Sequence, residues 1–293
     1  MKYTAIFLAC LFGVAYAQEE KPPEGEKPPE GGAPAEGATE EEEEVKSTPP
    51  PEALPEPQKI ISDLTLANAV KDGGRIDTCA KQALAWAKGA KDEALIDTMS
   101  KELAESLKAV KGNWGTLNVI LEALGELRSK EGAKALKKAA FKKDYKDESE
   151  AKFQATAIVN YGKYADPKEI AAFEEVSKTD SKVIAKAAYT ALGSYSTAKG
   201  KVRKQCVEVL MKRIEMEFPA SGGQGGKSVS AEKQERWSEV SPAIVKALQD
   251  LCRQPTIPDV ENWREWWKEN KKNPKAEAWK DEDGEKESGD KES

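Results

Sequence analysis

From residue 59 onward, apolar side chains recur at steps of three and four. Leu95, Ile96, Met99, Leu103, Leu107 and Val110 form one stripe, and Leu117, Ile120, Leu121, Leu124 and Leu127 form the next. That period is the signature of amphipathic helices. No stretch alternates long enough to suggest a sheet. The helices fall into pairs separated by short polar or glycine-containing joins, over 75–110, 114–143, 150–177, 180–218 and 231–270. A further helix near 59–71 covers the open end. The pattern predicts an all-α chain.

The pairs also resemble one another. Gly125, Gly162 and Gly193 each follow an apolar residue (Leu124, Tyr161, Leu192), with another three residues earlier (Leu121, Ile158, Tyr189). Ala133, Leu136 and Ala139 follow Gly125 at the same offsets at which Ile170, Phe173 and Val176 follow Gly162. A glycine ending a helix in the left-handed conformation would let the chain reverse into an antiparallel partner. Asp166 as N-cap, Pro167 at the first position and Glu169 three residues after the cap mark the start of the next helix. A single pair cannot bury its apolar stripe, so such pairs stack into one continuous core. An irregular bundle is the alternative. It has no reason to reuse one pair's internal offsets, and the expectation is an α-solenoid of about five antiparallel pairs.

Two segments carry a family resemblance. Asp166-Pro167-Lys168-Glu169-Ile170-Ala171-Ala172-Phe173, followed by the run from Asp180-Ser181-Lys182-Val183 to Ala191-Leu192-Gly193, resembles the short HEAT-like (PBS-lyase-type) repeat. The likeness is good over 114–193 and looser over 75–110 and 198–270. The first pair has Ala87-Lys88-Gly89 in place of the apolar-Gly ending, and the Arg that often follows the Asp-x-x-Val step is absent. Trp263-Arg264-Glu265-Trp266-Trp267 resembles the W-R-x-W-W ending found after the repeats of many secreted bacterial HEAT-like proteins. On a helix opened by Pro258-Asp259, Trp263, Trp266 and Trp267 share one face, below Val260. Three bulky rings suit the cover that a solenoid's last apolar face requires. The alternative is an exposed aromatic platform for a sugar or peptide.

Composition divides the rest of the chain. Residues 1–17 have a positive start at Lys2, a mostly apolar run over 3–15 and Ala15-Tyr16-Ala17 as a small-x-small site, which reads as a signal peptide with Gln18 as the mature start. A retained anchor, with the spacer behind it as a stalk, and a lipoprotein through Cys10 are the alternatives. Residues 18–58 hold ten of the sixteen prolines and a net charge of −10, including two consecutive copies of Glu-Lys-Pro-Pro-Glu-Gly, and read as a disordered linker. Residues 275–293, net −4, read as a disordered acidic tail, and 219–230 as a flexible Gly/Ser insertion. The body at 59–274 then carries +7.

The chain has no histidine, which excludes Ser-His-Asp triads, Cys-His pairs and His-containing zinc sites. Ser221 to Ser228 nearly spells a phosphate-binding loop, but Ser221 stands where the first glycine belongs and no strand precedes it. Carboxylate pairs such as Glu174-Glu175 fall on polar faces, calcium-loop spacing is missing, and no cofactor motif appears. Cys79, Cys206 and Cys252 show no metal-type spacing, so buried thiols are expected, with one bridged pair the alternative. The expectation is an exported (periplasmic or extracellular), non-enzymatic interaction scaffold whose partner is a protein or envelope component. Nucleic acid is not expected, nor a stable membrane span unless the signal segment is retained. The candidate interaction surface lies on second helices, at Lys134, Lys138, Lys142, Lys168, Lys178, Lys201, Arg203 and Lys204. An envelope carbohydrate-binding protein, or an enzyme with a cleft between helices, is the alternative.

Overall fold

The computed structural model describes residues 55–142, 145, 147–218, 230–273 and 277–281. The proposed signal peptide, nearly all of the linker, the Gly/Ser insertion with its near-phosphate loop, and most of the acidic tail lie outside the described residues. Among those described there are eleven α-helices and no strand. They are α1 (Pro57–Val70), α2 (Gly73–Ala87), α3 (Glu93–Ala109), α4 (Trp114–Leu127), α5 (Lys130–Ala140) and α6 (Glu148–Gly162), then α7 (Ile170–Ser177), α8 (Lys182–Gly193), α9 (Gly200–Glu217), α10 (Ala231–Cys252) and α11 (Val260–Asn270). Short 3-10 turns sit at Pro167–Glu169, Ser194–Thr197 and Glu277–Trp279. The helix starts follow side-chain chemistry. Asp72, Asp92, Asn113, Ser129, Asp147, Ser181, Ser230 and Asp259 each accept a backbone N–H in the first turn of the helix that follows.

The helices form two rows, as a solenoid of five pairs requires. α2, α4, α6, α8 and α10 pack successively in the first row, and α1 packs on both α2 and α3, closing the open end. In the second row α3 meets α5, but α5 and α7 scarcely touch and α7 meets α9 only lightly. The helices of the first row pack closely on one another, and those of the second row, among them the short α5 and α7, touch less.

Gly125, Gly162 and Gly193 make the tight row possible, though not as helix-ending left-handed residues. Gly112 is the only glycine with positive φ among the described residues, and the left-handed turns after α1, α4 and α10 fall on Lys71, Arg128 and Arg253. The three glycines are instead places where one first-row helix touches the next. A Cβ on Gly162 would lie 2.7 Å from Ala191 Cα in α8, one on Gly193 3.2 Å from Ala247 in α10, and one on Gly125 2.7 Å from Asn160 Cβ in α6. The repeated offset therefore records interhelical contact. A second recurrent device sits two residues after Gly162 and Gly193: Tyr164 donates to Leu124 O at 2.9 Å and Tyr195 to Asp166 O at 2.7 Å. Each hydroxyl ties a pair to the preceding one. Asp166 caps the turn at 167–169 as predicted, but Glu169 forms an ion pair with Lys137 of the previous pair.

A continuous apolar core runs between the rows, from Ile60 and Leu64 through Leu124, Phe173 and Leu192 to Leu251 and Trp263. All three described cysteines are buried in it and unpaired. Burial pushes the Cys206 and Cys252 thiols up to about 12.

Gly162→Ala replaces a backbone contact with a clash and is expected to lower unfolding free energy by about 1–3 kcal/mol, despite alanine's higher helix propensity. Gly89→Ala, with nothing within 4 Å of the new methyl, is expected to stay within about 0.5 kcal/mol of wild type; urea denaturation of both compares them. Because the Cys206 and Cys252 pKa values are raised on folding, their contribution is intact below the unfolded thiol value and is lost as pH climbs from about 9 toward 12. The urea midpoint should fall across that window, and iodoacetamide at pH 8 should label none of the three thiols until the chain is unfolded.

Candidate interaction groove and carboxy-terminal clamp

The first row carries a depression of about 690 Å³ that touches α2, α4, α6 and α8 at once. Its floor is apolar, formed by Leu84, Val159 and Ala187, with Val183 37% exposed at one wall. Lys88, Lys152, Lys163 and Lys186 stand around it against Glu122 and Glu126. Lys163 bonds Glu126 at 2.7 Å and holds that carboxyl below its ordinary value, and Lys152 pairs with Glu148. A general acid requires a carboxyl raised toward neutrality, and Glu126 shifts the other way. The hollow combines an apolar floor with charges of both signs at its rim.

The lysines singled out from sequence stand elsewhere. Lys134, Lys138, Lys142, Lys168, Lys178, Lys201, Arg203 and Lys204 all lie on α5, α7 and α9 or at their ends, in the second row. The groove touches α2, α4, α6 and α8 of the first row, and none of these residues lines it. The basic character is also reduced by pairing: Lys134 meets Glu131 at 2.7 Å, Lys142 meets Glu150 at 3.3 Å and Lys178 meets Glu175 at 2.6 Å. Lys138, Lys168, Lys201 and Lys204 remain without an ion pair to a described residue and do not form one cluster across the pairs.

Arg203 is the clearest correction, because it is fully buried. It faces inward from α9 and donates to Leu251 O at the end of α10 and, at 2.6 Å, to Lys280 O. Arg213, two turns and more along the same helix, is interior as well. It pairs with Glu217, which also accepts from Tyr189 and faces Arg236 at 3.6 Å. Arg236 in turn donates to Thr179 O and Asp180 O at 2.9 and 2.8 Å, so one buried network joins α8, α9, α10 and the turn before α8. The alternation of charged and apolar residues along α9 looks like an exposed basic face in sequence. Only the presence of helices on both sides shows that two of its arginines have partners inside.

The tryptophan end is assembled as a cover. Trp263 is fully buried, Trp266 and Trp267 are half-buried, and Trp266 meets Trp263 edge-on at 5.3 Å. A fourth ring completes the cluster: Trp279 meets Trp266 at 5.9 Å and Trp267 at 6.3 Å and is itself buried. Sequence reading assigned Trp279 to the disordered tail, and this too is corrected for residues 277–281. The segment is clamped to the start of α9, where Gly200 N–H donates to Asp281 and Arg203 holds Lys280 O. A lone tryptophan among acids and lysines gave no periodic signal that could have placed it.

Among the described residues no cluster of His, Cys, Asp and Glu could hold a metal ion, and no helix is long and apolar enough to cross a membrane. Comparison with protein-family models, curated proteins and solved structures returned no match.

The clamp generates a prediction opposite to the one that helix propensity alone would give. A methyl at Gly200 would fall 1.9 Å from Trp279 O. Gly200→Ala is therefore expected to lift the segment from α9 and cost about 1–3 kcal/mol, although alanine favours the helix. Acrylamide quenching of tryptophan emission should rise in the variant; unchanged quenching with raised stability would remove the clamp.

Proposed function

We propose that this chain is an exported, non-enzymatic interaction scaffold whose first row holds an extended polypeptide segment. The observation that carries the reading is the hollow shared by α2, α4, α6 and α8. A surface made by successive helices of a stacked array offers a long apolar floor with regularly spaced polar groups, which suits an extended chain better than a compact small molecule. The likeness of residues 114–193 to short HEAT-like repeats supports the same reading, since stacked repeats of this kind present extended binding faces. Export rests on the signal-like residues 1–17.

Crosslinking in an extract of the cell envelope, followed by mass spectrometry, tests the assignment of the face. Val183→Asp with Lys186→Glu alters the groove, whereas Lys201→Glu with Lys204→Glu alters the second row. The groove pair is expected to lose at least tenfold of the captured partner and the second-row pair to retain it. Equal capture by the two pairs would overturn the groove assignment. Arg203 is left out of the comparison because reversing a buried charge would unfold the region whatever the site.

A further inference from the structure

The groove on the first row is lined by four lysines, Lys88, Lys152, Lys163 and Lys186, against two acids, Glu122 and Glu126. These charges are not equally free. Glu126 is held by Lys163 at 2.7 Å, and the positive charges of Arg128 and Lys88 act on it as well. Lys152 pairs with Glu148, but the two side chains are 60% and 77% exposed, and such a pair is weak and easily exchanged. Lys88, just after α2, and Lys186, in α8, have no ion pair to a described residue, and they stand on the outer two of the four helices. A second hollow, of about 560 Å³ beside α7, differs in this respect: its two lysines, Lys142 and Lys178, are each held by a glutamate. The hydroxyls of the groove are already committed. Thr156 donates to Lys152 O at 3.1 Å and Thr190 to Lys186 O at 3.0 Å, each within its own helix, which leaves the lysines as the main donors.

We propose that the segment held in this groove is acidic: an extended stretch whose carboxylates meet Lys88 and Lys186 at the two margins and whose apolar side chains lie on Leu84, Val159 and Ala187 between them. This partner chemistry rests on the reading of the groove as a polypeptide site. Complementary charge selects among partners that would all fit an apolar floor. A basic segment would meet four ammonium groups and find one acid without an ion pair to a described residue, Glu122. A wholly apolar segment would take water from Lys88 and Lys186 and give nothing in return. Glu122 sits on α4, between the margins, and disfavours a second carboxylate there. It suits a backbone N–H of the bound segment instead. Acids at both ends with uncharged residues between them are the arrangement that these side chains favour.

Selection of a phage-displayed library of random nine-residue peptides on the full-length chain tests the partner's charge. Selected peptides are expected to carry aspartate and glutamate at least threefold more often than the unselected library, and lysine and arginine less often. The peptide recovered most often is then made with a fluorescent label and titrated by anisotropy. Lys88→Gln with Lys186→Gln, which removes two exposed charges and keeps the helices, should weaken it at least fivefold. Raising sodium chloride from about 0.05 to about 0.5 M should weaken it likewise. Lys201→Gln with Lys204→Gln, in the second row, should leave it within twofold. Selected peptides without an excess of acids, or a peptide indifferent to the loss of Lys88 and Lys186, would overturn the acidic partner. The groove would then still stand as a peptide site if Val183→Asp abolishes the binding. Binding that Val183→Asp leaves intact, or a library from which nothing is selected, would overturn the groove and the acidic partner together.

Discussion

The closeness of consecutive first-row helices governs the rest of this structure. Where Gly162 meets Ala191 and Gly193 meets Ala247, no side chain separates the backbones, and the row is drawn together. In the second row α5 and α7 scarcely touch, and the glycine of α5, Gly132, packs against Tyr164 and Leu124 O rather than against α7. The groove runs along the first row, touching α2, α4, α6 and α8. The surface on which function is proposed therefore belongs to the row that these close contacts draw together.

A stack built from nearest-neighbour contacts has an energetic weakness at its ends, where the last pair has no neighbour. The two ends are treated differently. At the start, α1 lies across α2 and α3 and buries Ile60, Leu64 and Ala67. At the finish, four tryptophans and the segment at 277–281 cover α9 and α10, with Arg203 joining the two by bonds to carbonyl oxygens. An arginine in such a place is costly unless its donors are met, and it specifies one arrangement of the end for that reason. The neighbouring Arg213–Glu217 network has the same character: removing one partner leaves a buried charge without compensation.

The two hollows differ in the physics they offer. The groove has an apolar floor and charges of both signs, some of them already paired, so it rewards a partner long enough to touch several helices. The smaller hollow has an apolar wall of Phe141, Ala172, Val176 and Ile184 and touches fewer elements.

Much of this was legible in the chain itself. Helical periodicity, capping residues and the shared ruler of Gly125, Gly162 and Gly193 are local or recur at fixed separations, so they identified an all-α stack of paired helices and very nearly its boundaries. The same information could not say which helices stand close enough to share a groove. That depends on how far neighbouring helices approach, and Gly162 announces a small residue without naming Ala191 as its contact. Nor could it separate Arg203 from Lys201 and Lys204, since a charged residue reads alike whether it meets water or a buried carbonyl at the far end of another helix. Trp279 belongs to the cover for the same reason. Sequence alone determined the elements and their repetition; the tertiary structure decided which helices touch and which polar groups are satisfied within, because those outcomes arise between residues 29 to 81 positions apart.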